Sequence, residues 1–179
     1  MKLRPKDIRR AEETKYLSLI PPTGTSKENL KTILDAIGER GWVLVERSPA
    51  SPFSEWTTTF HGRIALRNGF WNLPVWQQQA ILWHEYVHIE QRIDMGRHRF
   101  NVRWAGSPRW RWSLEVPAYR ESVRNLRGRG ASVSEINEYI DSSTENLRKK
   151  YLLKILDPSQ MKMETKRILL LGASDWNPM

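Results

Sequence analysis

With 179 residues, 39% of them hydrophobic and 27% charged, the chain has the size and balance of one globular domain able to bury a core. It contains no cysteine, which excludes disulfides and a cysteine nucleophile and leaves histidine and carboxylate as the strong metal ligands. No apolar run approaches the length of a membrane span, and a net charge of +9 directs attention to anionic partners.

Residues 1–25 read as an irregular arm ending in the turn-rich "PPTGTS". The opening "MKLRPKDIRRAEETKYLSLI" lacks the continuous apolar core of a secretory signal. The expectation is a soluble protein of the cytoplasm, with no membrane partner. "TSKENLKTILDAIGERG" predicts a helix, with Thr25 and Glu28 spaced as a capping box and Leu30, Ile33, Leu34 and Ile37 on one stripe. "WVLVE" follows as a short strand, and "SPASPFS" as a loop. The β-branched and aromatic content of "WTTTFHGRIALR", residues 56–67, predicts two strands bending at "HG", and hence a small antiparallel sheet.

A long helix is predicted from about 74 to 95, with Pro74 in its first turn and Gly96 as its stop. Apolar residues cover nearly its whole circumference, which marks a central helix covered on most sides. An arginine- and tryptophan-rich loop is expected next. A helix from about 113 to 128 follows, capped by Ser113 with Pro117 near its first turn. Ser132 and Glu135 form a further capping-box pair ahead of a third long helix, and residues 156–179 read as a tail.

The central helix carries "AILWHEYVHIEQ", residues 80–91. Residues four apart stand on one helical face, so His84 and His88 can reach a single ion, while Glu85, rotated by about 100°, flanks it. Two neutral imidazoles holding Zn²⁺ beside a carboxylate that takes a proton from water is the arrangement metal-assisted hydrolysis needs. The competing reading is a pair of satisfied core histidines. Three residues are candidates for a third ligand. Asp94 continues the same helix and points away from His88's face, and His98 lies beyond the helix end. Glu115 opens the next helix, where an antiparallel partner could set it opposite the histidines, with the small Ala118 letting the backbones approach. Glu115 is the preferred third ligand; its plainer role is to complement its own helix terminus or pair with an arginine.

Followed by "LEVPAYRES", the stretch "HEYVH" resembles the zincin metallopeptidases of the gluzincin type, and "HEYVHIEQ" is similar to small peptidase-like domains of bacteria and phages with a glutamine after the motif. The resemblance covers residues 56–125. It implies an α+β fold over residues 26–155, mostly helical and zincin-like, with a small sheet ahead of the active-site helix. It also implies a zinc metallopeptidase with Zn²⁺ on His84, His88 and Glu115, Glu85 as general base, and a protein or peptide substrate. Tyr119, one turn after Glu115, is the first choice as donor to the tetrahedral oxyanion, with His61 and His98 as alternatives. Thermolysin-like enzymes carry asparagine before the ligand glutamate and aspartate four after it. Leu114 and Tyr119 stand there, so the group that orients a ligand histidine must come from elsewhere.

Between Arg97 and Arg129 nine arginines face only Glu115 and Glu121, a balance of +7. The segment suits an anionic partner or nucleic acid, or else a solvated face with arginines stacked on tryptophans. The alternatives to a peptidase are therefore a catalytically inactive zincin-fold structural protein, or a nucleic-acid-associated protein that uses this segment.

Overall fold

The computed structural model describes residues 26–46, 57–60, 62–128 and 131–151. The arm 1–25, Thr25 of the expected capping box, His61 and the tail 156–179 lie outside them. The fold is α+β and mostly helical. In chain order it comprises α1 (Ser26–Glu39), β1 (Val43–Glu46), β2 (Thr57–Phe60), β3 (Arg63–Leu66), a 3₁₀ turn (Phe70–Asn72), α2 (Val75–Met95), α3 (Arg97–Gly106), α4 (Pro108–Gly128) and α5 (Val133–Tyr151). Among the described residues no helix is long and apolar enough to cross a membrane.

The sheet departs from the antiparallel expectation. Its order is β1-β3-β2, with β2 and β3 antiparallel and β1 parallel to β3, in register from Val43 opposite Arg63 to Glu46 opposite Leu66. Ten residues separate β1 from β2, more than a tight hairpin uses, and β3 takes the space between them. β3 is also the strand suited to the middle. Ile64, Ala65 and Leu66 are all buried, as in a strand covered on both faces, whereas both ends of β1 are exposed. Ile64 and Leu66 pack into one cluster with Ile33 and Ile37 of α1, Phe70 of the 3₁₀ turn, and Leu82, Trp83, Tyr86 and Ile89 of α2.

Helix α2 is the axis of the molecule. Pro74 sits one position before the helix, as its N-cap, and its carbonyl accepts from the amides of Gln77 and Gln78. Gln78 donates back to the carbonyls of Trp71 and Leu73, tying the 3₁₀ turn to the helix start. Every residue from Gln78 to Gln91 except Ile81 is buried, as an all-round apolar pattern requires. Arg40, just past α1, pairs with Glu90 at 2.6 Å and holds the two helices together at that end.

The segment expected as a loop is helical. Gly96, at φ +79°, ends α2 in a conformation that favours glycine, and α3 begins at the next residue. Phe100 and Trp104 stand four apart on α3, stack at 5.9 Å, and turn one aromatic stripe inward. Helix α4 also begins earlier than its expected Ser113 cap. Ser107 is extended, its hydroxyl accepts from the Trp110 amide at 3.2 Å, and Pro108 occupies the first helical position. Ser113 lies within the helix and donates to the Trp110 carbonyl. Gly106 allows this close join, because a Cβ there would meet the Trp110 ring at 2.9 Å. Pro117 thus falls inside α4, where it removes the amide that would have bonded to the Ser113 carbonyl.

Helices α2 and α4 run antiparallel. Gln91 reaches the backbone of Leu114, Ala118 packs on Val87, and the Ser122 hydroxyl donates to the Ala80 carbonyl at 2.7 Å. Residue numbers rise on one helix as they fall on the other, and Ala118 is fully buried at the crossing. Helix α5 closes the far side of α4 through Leu147 against Trp112 and Val116, and Ile140 against Val123. Its capping box is formed as expected: Glu135 accepts from the Ser132 amide at 2.7 Å, and Ser132 accepts from the Glu135 amide at 3.2 Å.

Candidate metal centre

The antiparallel register brings Glu115 to the two histidines. His84 Nε2 lies 3.1 Å from His88 Nε2 and 3.2 Å from Glu115 Oε2, and His88 Nε2 lies 3.5 Å from Glu115 Oε1. One ligand atom from each residue falls within 4.8 Å of the others, and His84, His88 and Glu115 are all buried. This buried His-His-Glu group can hold a metal ion.

The hydrogen bonds around His88 test that fit. Gln91 Nε2 donates to the Leu114 carbonyl at 2.9 Å, which fixes the orientation of the amide, because a carbonyl only accepts. Gln91 Oε1 therefore faces His88 Nδ1, at 2.9 Å, and Nδ1 must be the donor. A neutral His88 then carries a bare lone pair on Nε2, directed at another imidazole nitrogen and a carboxylate. Acceptors gathered this way away from water are unfavourable unless a cation or a proton stands among them. The donor set of two imidazoles and one carboxylate suits a divalent transition ion such as zinc.

The electrostatics agree. Burial would push the Glu115 carboxyl up, but the adjoining His84 and His88 imidazoles outweigh it and hold the group well below the usual carboxylate range. Burial would lower His88, yet the hydrogen bond and charge of Glu115, helped by the Glu85 charge, raise it above its ordinary 6.5. The signs define a pH window for the metal-free protein. The depressed Glu115 contributes stability that is complete above its ordinary 4.5 and is lost as pH falls through its lowered value. The raised His88 contributes stability that is complete below 6.5 and is lost as pH rises through its raised value. The pair therefore stabilises the metal-free protein most between 4.5 and 6.5. Zinc needs unprotonated imidazoles, so the rise in Tm on adding zinc should grow as pH increases from 6.5 to about 9. A zinc-induced shift that shrinks over that interval, followed by thermal melts, would contradict the assignment.

Glu85 is buried next to His84 but does not join the ligand atoms, in keeping with its expected flanking place. Its charge acts on His88, Arg92 and Tyr139. Tyr119 meets the group through its ring, 4.3 Å from the His84 ring, and also packs against both clusters that join α4 to α5. Of the other candidates, His98 is exposed on α3 and Asp94 is exposed near the end of α2, and neither belongs to the group. His61 is outside the described residues.

Three features were missed from the sequence. Gln91 supplies the partner of His88, where a carboxylate was expected. Phe100 and Trp104 lie edge-on to His88, at 6.0 and 5.6 Å, and their spacing of four was the available signal. Burial pushes the phenol of Tyr139 of α5 up, against the influence of the Ser122 and Ser143 hydroxyls, and the charges of Glu115 and Glu85 add to that rise. No local motif marks Tyr139, which only the packing of α5 on α4 brings close.

The arginines of segment 97–129 do not share one face. Arg97, Arg99 and Arg127 are exposed, Arg120 is buried, and Arg124 pairs with Glu121 at 2.8 Å. The guanidinium of Arg92, just upstream, lies 4.5 Å from the Phe100 ring centre and 5.7 Å from that of Trp42.

Among known proteins, no family model, curated protein or solved structure matches the chain.

Proposed function

We propose that the protein is a zinc-dependent peptidase of zincin-like fold, with His84, His88 and Glu115 holding the metal and Glu85 as general base. The observation that carries this reading is the convergence of two helical histidines and one glutamate in a buried group, with a second glutamate adjoining the first histidine. The three ligands that converge among the described residues leave room for water and substrate, whereas a structural zinc site is closed by four. Zinc bound there lowers the pKa of its water towards 7 and polarises a carbonyl.

The residues around it supply the rest. Glu85 takes the proton from the attacking water and returns it to the departing amine, so that one carboxylate serves as base and then acid. The Tyr119 phenol donates to the oxyanion that forms as the carbonyl is attacked. The rings of Phe100 and Trp104 beside His88 keep that side of the centre apolar, which strengthens the electrostatic interactions within it. The substrate class is a protein or peptide.

The test is hydrolysis of unstructured protein, such as casein, by zinc-loaded protein, by protein stripped with a chelator, and by stripped protein resupplied with zinc. Activity that disappears on stripping and returns with zinc is the expected result. Zinc-loaded, folded protein that cleaves none of a broad panel of peptides would remove the peptidase reading.

A further inference from the structure

We propose that Gln91 is the positioning residue of the centre, an uncharged strut that fixes the tautomer of His88 and sets Glu115 against it; this rests on the reading of the site as a metal centre. The side chain makes both contacts at once. Its amide oxygen accepts from His88 Nδ1 at 2.9 Å, and its amide nitrogen donates to the Leu114 carbonyl at 2.9 Å. Gln91 and His88 share α2, three residues apart, whereas Leu114 is the α4 residue immediately before Glu115. One buried amide thus links one ligand directly to the backbone that carries another. Gln91 is 2% exposed, so water does not compete for either bond.

The two imidazoles are held differently. His84 Nδ1 has no hydrogen-bond partner among the described residues, and the His84 ring is packed edge-on to Tyr119. His88 alone has a polar group fixing which nitrogen carries the proton. A partner of this kind orients the ring and tunes its basicity, and losing it costs about 10- to 100-fold in metal affinity. Because Gln91 is neutral, it orients His88 without adding negative charge behind it. A carboxylate at the same place would make the imidazole a stronger donor.

Gln91→Met keeps the length and volume of the side chain while removing the amide, and Gln91→Glu keeps an acceptor for Nδ1–H. The experiment measures zinc affinity by chelator competition. It also reads the ¹⁵N shifts of the His88 ring in metal-free protein at a pH of about 9, above the ordinary histidine range. Wild type should show Nδ1 protonated and Nε2 bare. Gln91→Met should show mixed tautomers and a zinc affinity lower by about 10- to 100-fold. Gln91→Glu should keep Nδ1 protonated, because a carboxylate still accepts there, while it gives up the donor to the Leu114 carbonyl. Wild-type His88 protonated on Nε2, or a folded Gln91→Met with unchanged ring shifts and zinc affinity, would overturn the proposal. If Gln91→Met does not fold, Gln91→Glu decides: a bare Nδ1 would also overturn it. If wild type binds no zinc, the metal reading fails, and the metal-free tautomer still decides whether Gln91 positions His88.

Discussion

Gln in place of Glu85 should leave zinc bound and abolish most turnover. The substitution preserves the size of the side chain and removes only its ability to take up and release a proton. Glu85 is outside the ligand group, so zinc affinity should stay near that of wild type. A positioned general base contributes roughly 10²- to 10⁴-fold to rate, and kcat should fall by that factor with KM little changed. Because Glu85 is buried, melting of the zinc-loaded variant serves as the control for its fold. Activity within a few-fold of wild type, at equal zinc content, would mean that another group accepts the proton.

Glu115→Ala should have the opposite signature, losing zinc first and activity as a consequence. Apparent binding energies of structural zinc are about 10–16 kcal/mol; shared among the ligands, each accounts for about 3 kcal/mol, or roughly 10²-fold in affinity. Alanine also leaves His84 and His88 facing each other at 3.1 Å with no carboxylate between their nitrogens and α4. His88 should then lose the influence that raises it and titrate at lower pH, as burial favours its neutral form. Zinc affinity by chelator competition and the His88 titration by NMR give independent readings. Unchanged zinc affinity in Glu115→Ala would place the third ligand elsewhere and remove the gluzincin-like arrangement. The two variants together separate holding the metal from using it.

What could be read from the sequence was what is local. His84 and His88 stand on one face because they are four apart, and no tertiary information is needed for that. The all-round apolar pattern of residues 74–95 gave the central position of α2 for the same reason. Glu115 was accessible because an antiparallel neighbour with a small residue, Ala118, is a recurrent way to bring two helices close. The errors came from non-local choices. The antiparallel expectation holds for β2 and β3 but did not include the parallel pairing of β1, because nothing in "WVLVE" tells which strand it will adjoin, and the continuous burial of β3 decides that. Segment 97–107 was taken for a loop because a ten-residue helix has room for a single stripe, Phe100 and Trp104, too short to stand out as periodicity. Ser113 was taken as the cap of α4 because the residues ahead of it, dominated by arginine and tryptophan, show no helical stripe. The role of Gln91 depends on one rotamer and on the register of α4, neither of which has a sequence signature.

A zinc centre on His84, His88 and Glu115 is tested most directly by the metal content and ligand environment of wild-type protein supplied with zinc, by elemental analysis and X-ray absorption on one preparation. About one zinc per chain is expected, with two imidazole nitrogens and oxygen ligands at about 2.0–2.2 Å. Folded wild type that takes up no zinc, or that holds it without histidine, would contradict it.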